Sequence, residues 1–155
     1  MWLKFVLSGA VIAFCIFLGY LASAKYRQRK KFFGQLSEFN ARYLNELSYE
    51  RKPLGTLIEG FACSGDFKKT LVKFQEKHDS SVHYSYLTAE EKKECGDYFD
   101  MLGRGDAFSQ KGFFEMQKSA LEEKKTKSAT EAKKRGELYL KLGLLAGLAI
   151  VILIV

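Results

Sequence analysis

With 155 residues the chain has room for one domain of modest size, and its formal charge of +7 admits nucleic acid, a membrane surface or plain solubility as explanations. The 47% hydrophobic content misleads as an average, because apolar residues concentrate at the two ends and the middle is polar and basic. One proline, Pro53, argues against a β-sandwich or a disordered tail, and three cysteines (Cys15, Cys63, Cys95) without CxxC or Cys/His spacing argue against a zinc site and for small buried hydrophobes in a reducing compartment.

Trp2 to Ala24 is an apolar run broken only by Lys4. About 20 apolar residues cross the hydrocarbon layer as a helix, so its length is that of a span. A cleaved signal is the competing reading, since Ala22-Ser23-Ala24 resembles a cleavage site. Two points oppose it. The run exceeds the roughly 7–15 residues of a signal's apolar region. Lys25, Arg27, Arg29, Lys30 and Lys31 follow the run, whereas only Lys4 precedes it. Lysine and arginine beside a span stay in the cytoplasm, so the chain beyond residue 25 is expected there.

From Tyr26 to about Ser48, Phe32, Leu36, Phe39, Tyr43 and Leu47 recur at helical steps and predict an amphipathic helix continuous with the first span. Tyr49-Glu50-Arg51-Lys52 leads to Pro53, which suits the first position of a short helix with Leu54, Leu57, Ile58 and Phe61 as its apolar face. Phe67, Leu71 and Phe74 mark a third helix from about Asp66, its expected cap, to Lys77. His78 to Leu87 is polar, tyrosine-rich and without helical period, and reads as a loop whose histidines, His78 and His83, are exposed. Thr88-Ala-Glu-Glu91 is a capping box opening a helix to about Leu102, with Cys95, Tyr98, Phe99 and Leu102 inward. Glu90, Glu94 and Asp97 share another face of it, the most acidic surface of a basic protein and a candidate partner site.

Gly103-Arg-Gly-Asp-Ala-Phe-Ser-Gln110 closes that helix, and Asp106 caps the next. Its GxG is no nucleotide signature without a strand before it, and the Arg-Gly-Asp tripeptide carries no adhesion reading in a cytoplasmic segment. Asp106 and Gln110 read as cap and packing residues, and Arg104, Asp106 and Gln110 together as a turn able to dock a partner. Phe113, Phe114, Met116, Gln117, Ala120 and Leu121 still face a core, whereas residues 122–137 look polar all round, a stalk with a weak point at Gly136. Lys133, Lys134 and Arg135 then precede a second apolar run, Leu138 to Val155, interrupted only by Lys141, whose stem lets its charge reach the headgroups. Both runs agree on one topology, with short ends outside and the middle inside. Small residues four apart, Gly9/Ala13 and Gly143/Gly147, permit close helix approach within one copy or between copies.

The expected architecture is all-α: a membrane helix over 1–24, a cytoplasmic helical bundle over 25–121, a polar stalk over 122–137 and a membrane helix over 138–155. The basic clusters fit topology and anionic headgroups better than nucleic acid. No P-loop, nucleophile elbow, paired-carboxylate spacing or metal-ligand cluster is present in the sequence, so neither an enzyme nor a cofactor is expected. Two alternatives stay open: a membrane-anchored helical scaffold unrelated to the family named next, and a small membrane-bound hydrolase using His78 or His83.

Leu44-Asn-Glu-Leu-Ser-Tyr49 followed by Lys52-Pro53-Leu54, then Gly103-x-Gly105-Asp106-x-x-x-Gln110, then Leu142-Gly-Leu-Leu-Ala-Gly147-Leu leading to a hydrophobic end occur in the order seen in one family. On these motifs the whole chain resembles stage III sporulation protein AB of endospore-forming bacteria. Its middle is also similar to the cytoplasmic helical domain of platform proteins in type II secretion and type IV pilus machines. The resemblance implies a structural subunit of the channel-like complex that joins mother cell and forespore during engulfment. It implies residence in the mother-cell membrane, a secretion-type ATPase (stage III sporulation protein AA) and other subunits of the same operon as partners, and scope for homo-oligomers. This chain departs from the family at the tyrosines around His83 to Tyr86 and at its Gly-Arg-Gly hinge.

Overall fold

The computed structural model describes residues 2–50 and 52–154; Met1, Val155 and Arg51, in the joint before Pro53, lie outside the described residues. The chain is all-α, with helices α1 (Trp2–Ala22), α2 (Ala24–Asn45), α3 (Leu54–Glu59), α4 (Asp66–Lys77), α5 (Ala89–Met101) and α6 (Ala107–Ile154), and no strand among the described residues. It forms two compact units. One joins the chain up to Lys30 with the chain from Lys127, and the other is Lys31–Thr126.

The helix-pair unit is built from α1, the start of α2 and the second half of α6. Ser23 alone separates α1 from α2. Its N–H still bonds to the Gly19 carbonyl at 3.2 Å and its hydroxyl to the Tyr20 carbonyl at 2.8 Å, so the backbone groups of the break are satisfied within the turn. α6 runs 48 residues without interruption. Gly136 does not break it, since one glycine costs a long helix only about 1 kcal/mol. The expectation of a stalk polar all round is also corrected. Ser128 and Ala132 are buried on one side of it, small side chains that add little hydrophobicity to a sequence pattern yet allow helices to approach.

The Lys31–Thr126 unit is a bundle around an aromatic core. Phe32, Phe33, Phe39, Phe67, Phe99 and Phe114 are almost wholly excluded from solvent. They meet edge to face, as Phe39 with Phe61 (ring centroids 5.3 Å apart) and Tyr98 with Phe114 (5.0 Å). Such contacts add about 0.5–1.5 kcal/mol per pair beyond area burial. Asn40 supplies the polar link in this core. Its Nδ2 donates to the Phe114 carbonyl at 3.1 Å and its Oδ1 accepts from the Tyr98 hydroxyl at 3.2 Å, tying α2, α5 and α6 together.

Local details follow the sequence with shifts of one residue. α2 continues as a π-helical turn, Glu46–Glu50. Pro53 sits at the cap of α3, one position before the expected first turn. Asp66 is the first residue of α4 after Gly65, not its cap, and its carboxylate accepts from Lys69 at 3.0 Å and from the Tyr86 hydroxyl at 3.1 Å. The Thr88/Glu91 capping box is formed in both directions. The tyrosine-rich loop is less open than its polarity suggests. Val82 and Leu87 are buried, and Tyr84 and Tyr86 stack 5.5 Å apart beside Phe32, with His83 and Ser85 pointing outward between them.

Candidate functional site

Two features of the molecule have the makings of a functional surface, one in each unit. In the helix pair, α1 and the end of α6 run antiparallel at close range. A β-carbon placed on Gly19 would stand 2.5 Å from the Tyr139 carbonyl oxygen, one on Gly143 2.7 Å from that of Cys15, and one on Gly147 3.1 Å from the α-carbon of Ile12. Only residues without a side chain allow this approach, which in lipid is the main source of helix attraction. Gly143 and Gly147 therefore lie on the contact face. Gly9 and Ala13 lie on an exposed side of α1, and a β-carbon on Gly9 would meet nothing within 4 Å. Gly19, which pairs with no small residue four positions away toward Gly9 or Ala13, takes the place that the spacing had given them.

At one end of this pair the basic residues gather. Tyr26 stacks on Tyr139 (centroids 6.2 Å apart), with the Lys25 ammonium 5.1 Å and the Arg135 guanidinium 5.9 Å from the Tyr26 ring centre. Arg27 lies 3.8 Å from the Tyr20 ring centre, bonds to the Ser23 hydroxyl and donates to the Tyr20 carbonyl at 3.1 Å. Arg29 is paired with Glu131. Lys30, Lys133 and Lys134 are exposed, and Lys31 falls in the other unit.

In the bundle, Glu94 and Asp97 border a cleft of about 340 Å³ floored by Phe33, Leu36, Cys95, Tyr98 and Leu121. Glu90 is exposed on the same helix but does not line the cleft. Glu94 is bridged to Lys124 at 2.5 Å. Burial pushes the Cys95 thiol up to about 12, so it stays protonated and unreactive on the cleft floor. The turn of Arg104, Asp106 and Gln110 is a separate place. Gly103 and Gly105 adopt positive φ, 77° and 84°, which glycine alone takes without strain. The Asp106 carboxylate accepts from the backbone N–H groups of Phe108 (3.2 Å) and Ser109 (3.3 Å) and from the Ser109 hydroxyl (2.6 Å). Those bonds, the Ser109 hydroxyl first, hold its carboxyl below the usual range. Gln110 is buried, donates to the Arg104 carbonyl at 2.8 Å and accepts from the Tyr43 hydroxyl. It fastens the turn from inside, while Arg104 and Phe108 are left outward.

His78 and His83 are exposed and no group of three His, Cys, Asp or Glu able to hold a metal ion occurs among the described residues. His78 closes α4 with φ 51°, its N–H bonded to the Phe74 carbonyl at 2.9 Å.

These features define an all-α protein with two helices long and apolar enough to cross a membrane, flanking a helical bundle. The family model of stage III sporulation protein AB matches residues 4–155, and the chain belongs to that family. It is thus a stage III sporulation protein, of a family not defined by an enzymatic activity. No curated protein and no solved structure matches the chain.

Proposed function

We propose that this chain is a membrane platform subunit, without chemistry of its own, that couples a cytoplasmic secretion-type ATPase to a channel complex between mother cell and forespore during engulfment. In this reading α1 and the end of α6 span the mother-cell membrane as a hairpin, both termini lie outside, and the bundle lies in the cytoplasm. One observation carries it: apart from Lys4, the basic residues that flank the paired apolar helices gather at the same end, where Tyr26 meets Tyr139. Charge at one end of both spans is what a cytoplasmic bundle requires.

For the motor, the acidic cleft at Glu94 and Asp97 and the outward turn at Arg104 and Asp106 are the surfaces we assign to docking. Lys124 shares the rim and is paired with Glu94, so a partner with an apolar anchor and a lysine or arginine can meet Asp97 directly and compete with Lys124 for Glu94. The likeness of the bundle to the helical domain of secretion platforms belongs to this proposal as well, as does the operon's AA protein as the motor.

Co-purification of the full-length protein with that ATPase in mild detergent tests it. Retention at micromolar protein, lost on Glu94→Lys/Asp97→Lys, supports the platform role; no retention at that concentration removes its main support. His78→Ala/His83→Ala is the arm for the hydrolase alternative, and spore formation that survives it rejects that alternative.

A further inference from the structure

We propose that the basic end of the helix pair is a seat for anionic phospholipid headgroups, built where Lys25 and Arg135 converge on the Tyr26 ring. Its first support is the distribution of charge. The helix-pair unit carries ten lysines and arginines against two glutamates, and the bundle fifteen against sixteen carboxylates, so the whole excess of +7 resides beside the apolar helices.

The second is what the cations touch. In the bundle, Lys69, Lys73, Lys124 and Lys125 lie against Asp66, Asp79, Glu94 and Glu122. Among the described residues of the basic end, Arg29 alone has such a partner, Glu131. Among the described residues Lys25, Arg27, Lys133, Lys134, Arg135 and Lys141 lie within 4.0 Å of no carboxylate. Positions 133–141 of α6 carry Lys133, Lys134, Arg135 and Lys141 against one carboxylate, Glu137, and like charges at this spacing favour anions from outside the chain.

The third is geometry. Lys25 and Arg135 come from different helices to one tyrosine, and Arg27 is held against Tyr20 by Ser23. Tyrosines with a wet hydroxyl and an apolar ring sit at headgroup depth. Tyr20, Leu21, Leu138 and Leu140, next along the helices, expose apolar surface. Phosphate beside acyl chain is the chemistry of a lipid; a nucleic acid or free phosphate offers only the first half.

The inference rests on the membrane reading, and the test separates the two. The full-length protein is reconstituted in equimolar phosphatidylcholine and phosphatidylglycerol, checked for resistance to carbonate extraction, and its retained lipids are counted by native mass spectrometry. The expected result is retention of phosphatidylglycerol over phosphatidylcholine by about fivefold or more, the preference one cation near an anionic surface gives. Lys25→Gln/Arg135→Gln should erase most of that preference, while Lys68→Gln/Lys77→Gln, an equal charge loss on exposed α4 positions, should leave it. Equal retention of both lipids by an integrated protein overturns the seat and spares the spans. Equal loss in both double variants assigns the effect to bulk charge and overturns the seat too. Extraction by carbonate overturns the spans and the seat with them. Binding of an oligonucleotide in detergent that depended on the same two cations would reassign the surface to nucleic acid.

Discussion

The two units hold themselves together by opposite means. The bundle fills its core with the largest side chains available, rings at 5–6 Å spacing such as Phe32 with Phe67 and Tyr98 with Phe114. The helix pair closes with the smallest, Gly19, Gly143 and Gly147 along the apolar helices and Ser128 and Ala132 nearer the bundle's end of α6. On the membrane reading proposed above, the solvent each unit meets explains the contrast. In water, burying rings gains at ~25 cal/mol per Å². Between helices already surrounded by apolar lipid tails that gain vanishes, and only close backbone contact and dispersion remain. The charge balance separates them likewise: fifteen lysines and arginines against sixteen carboxylates in the bundle, ten against two in the helix pair.

The largest lesion should come from the ring core. Phe99 is fully buried against Phe67, Phe74 and Tyr98, and Phe99→Ala should cost ~3–5 kcal/mol, enough to unfold the bundle of a domain this size. Tryptic digestion of the full-length protein would then cut within residues 31–126 and leave the apolar helices intact. Gly143→Val is the matching lesion in the helix pair. It puts a branched side chain where a single β-carbon already stands 2.7 Å from the Cys15 carbonyl, and overpacking of this kind costs about 1–3 kcal/mol. Cross-linking between α1 and α6 should fall while the bundle's thermal transition stays put. A shift of that transition would say that the units do not divide the labour as described.

Smaller effects sharpen the account of the bundle. Thr88→Ala removes the hydroxyl that accepts the Glu91 N–H at 3.2 Å and should cost about 1 kcal/mol in chemical denaturation. Asp79 gives the pH test. The Lys73 ammonium at 2.8 Å, then the Ser81 hydroxyl and N–H, hold its carboxyl well below the usual carboxylate range. A folded value below the unfolded one means the carboxylate binds fewer protons in the native state. Its contribution is therefore complete above the ordinary carboxylate range and is lost as pH falls through the folded value. Lys73→Met should lower Tm modestly at neutral pH and so flatten its fall with acid, the two proteins converging at low pH; an unaltered difference between neutral and acid Tm would contradict the pairing.

Much of this was legible in the chain because the signals are local. Thr88 with Glu91, and the inward spacing of Cys95, Tyr98, Phe99 and Leu102, need only one helix to be read. The turn at Asp106 and Gln110 was readable for the same reason, although the Gln110 link to Tyr43 joins residues 67 apart and leaves no mark in the sequence. Gly9 and Ala13 satisfy the small-residue spacing as well as Gly143 and Gly147 do. Which small residues meet is decided by the register of the opposite helix, and that register selects Gly19. Ser128 and Ala132 escaped because a contact made of small side chains has no hydrophobic period. The segment Val82 to Leu87 alternates inward and outward over too few residues to stand out from a polar loop.

The antiparallel closure of the two apolar helices within one copy is the claim on which the rest stands, and the native Cys15 offers a direct probe of it. A β-carbon on Gly147 would lie 3.4 Å from that of Cys15, close to the roughly 3.5–4.5 Å of a disulfide. In a Cys63→Ala/Cys95→Ala background, Gly147→Cys should oxidise in membranes to an intramolecular disulfide, monomeric on a non-reducing gel and shielded from maleimide. A cross-linked dimer, or two thiols that both remain open to maleimide after oxidation, would contradict the account.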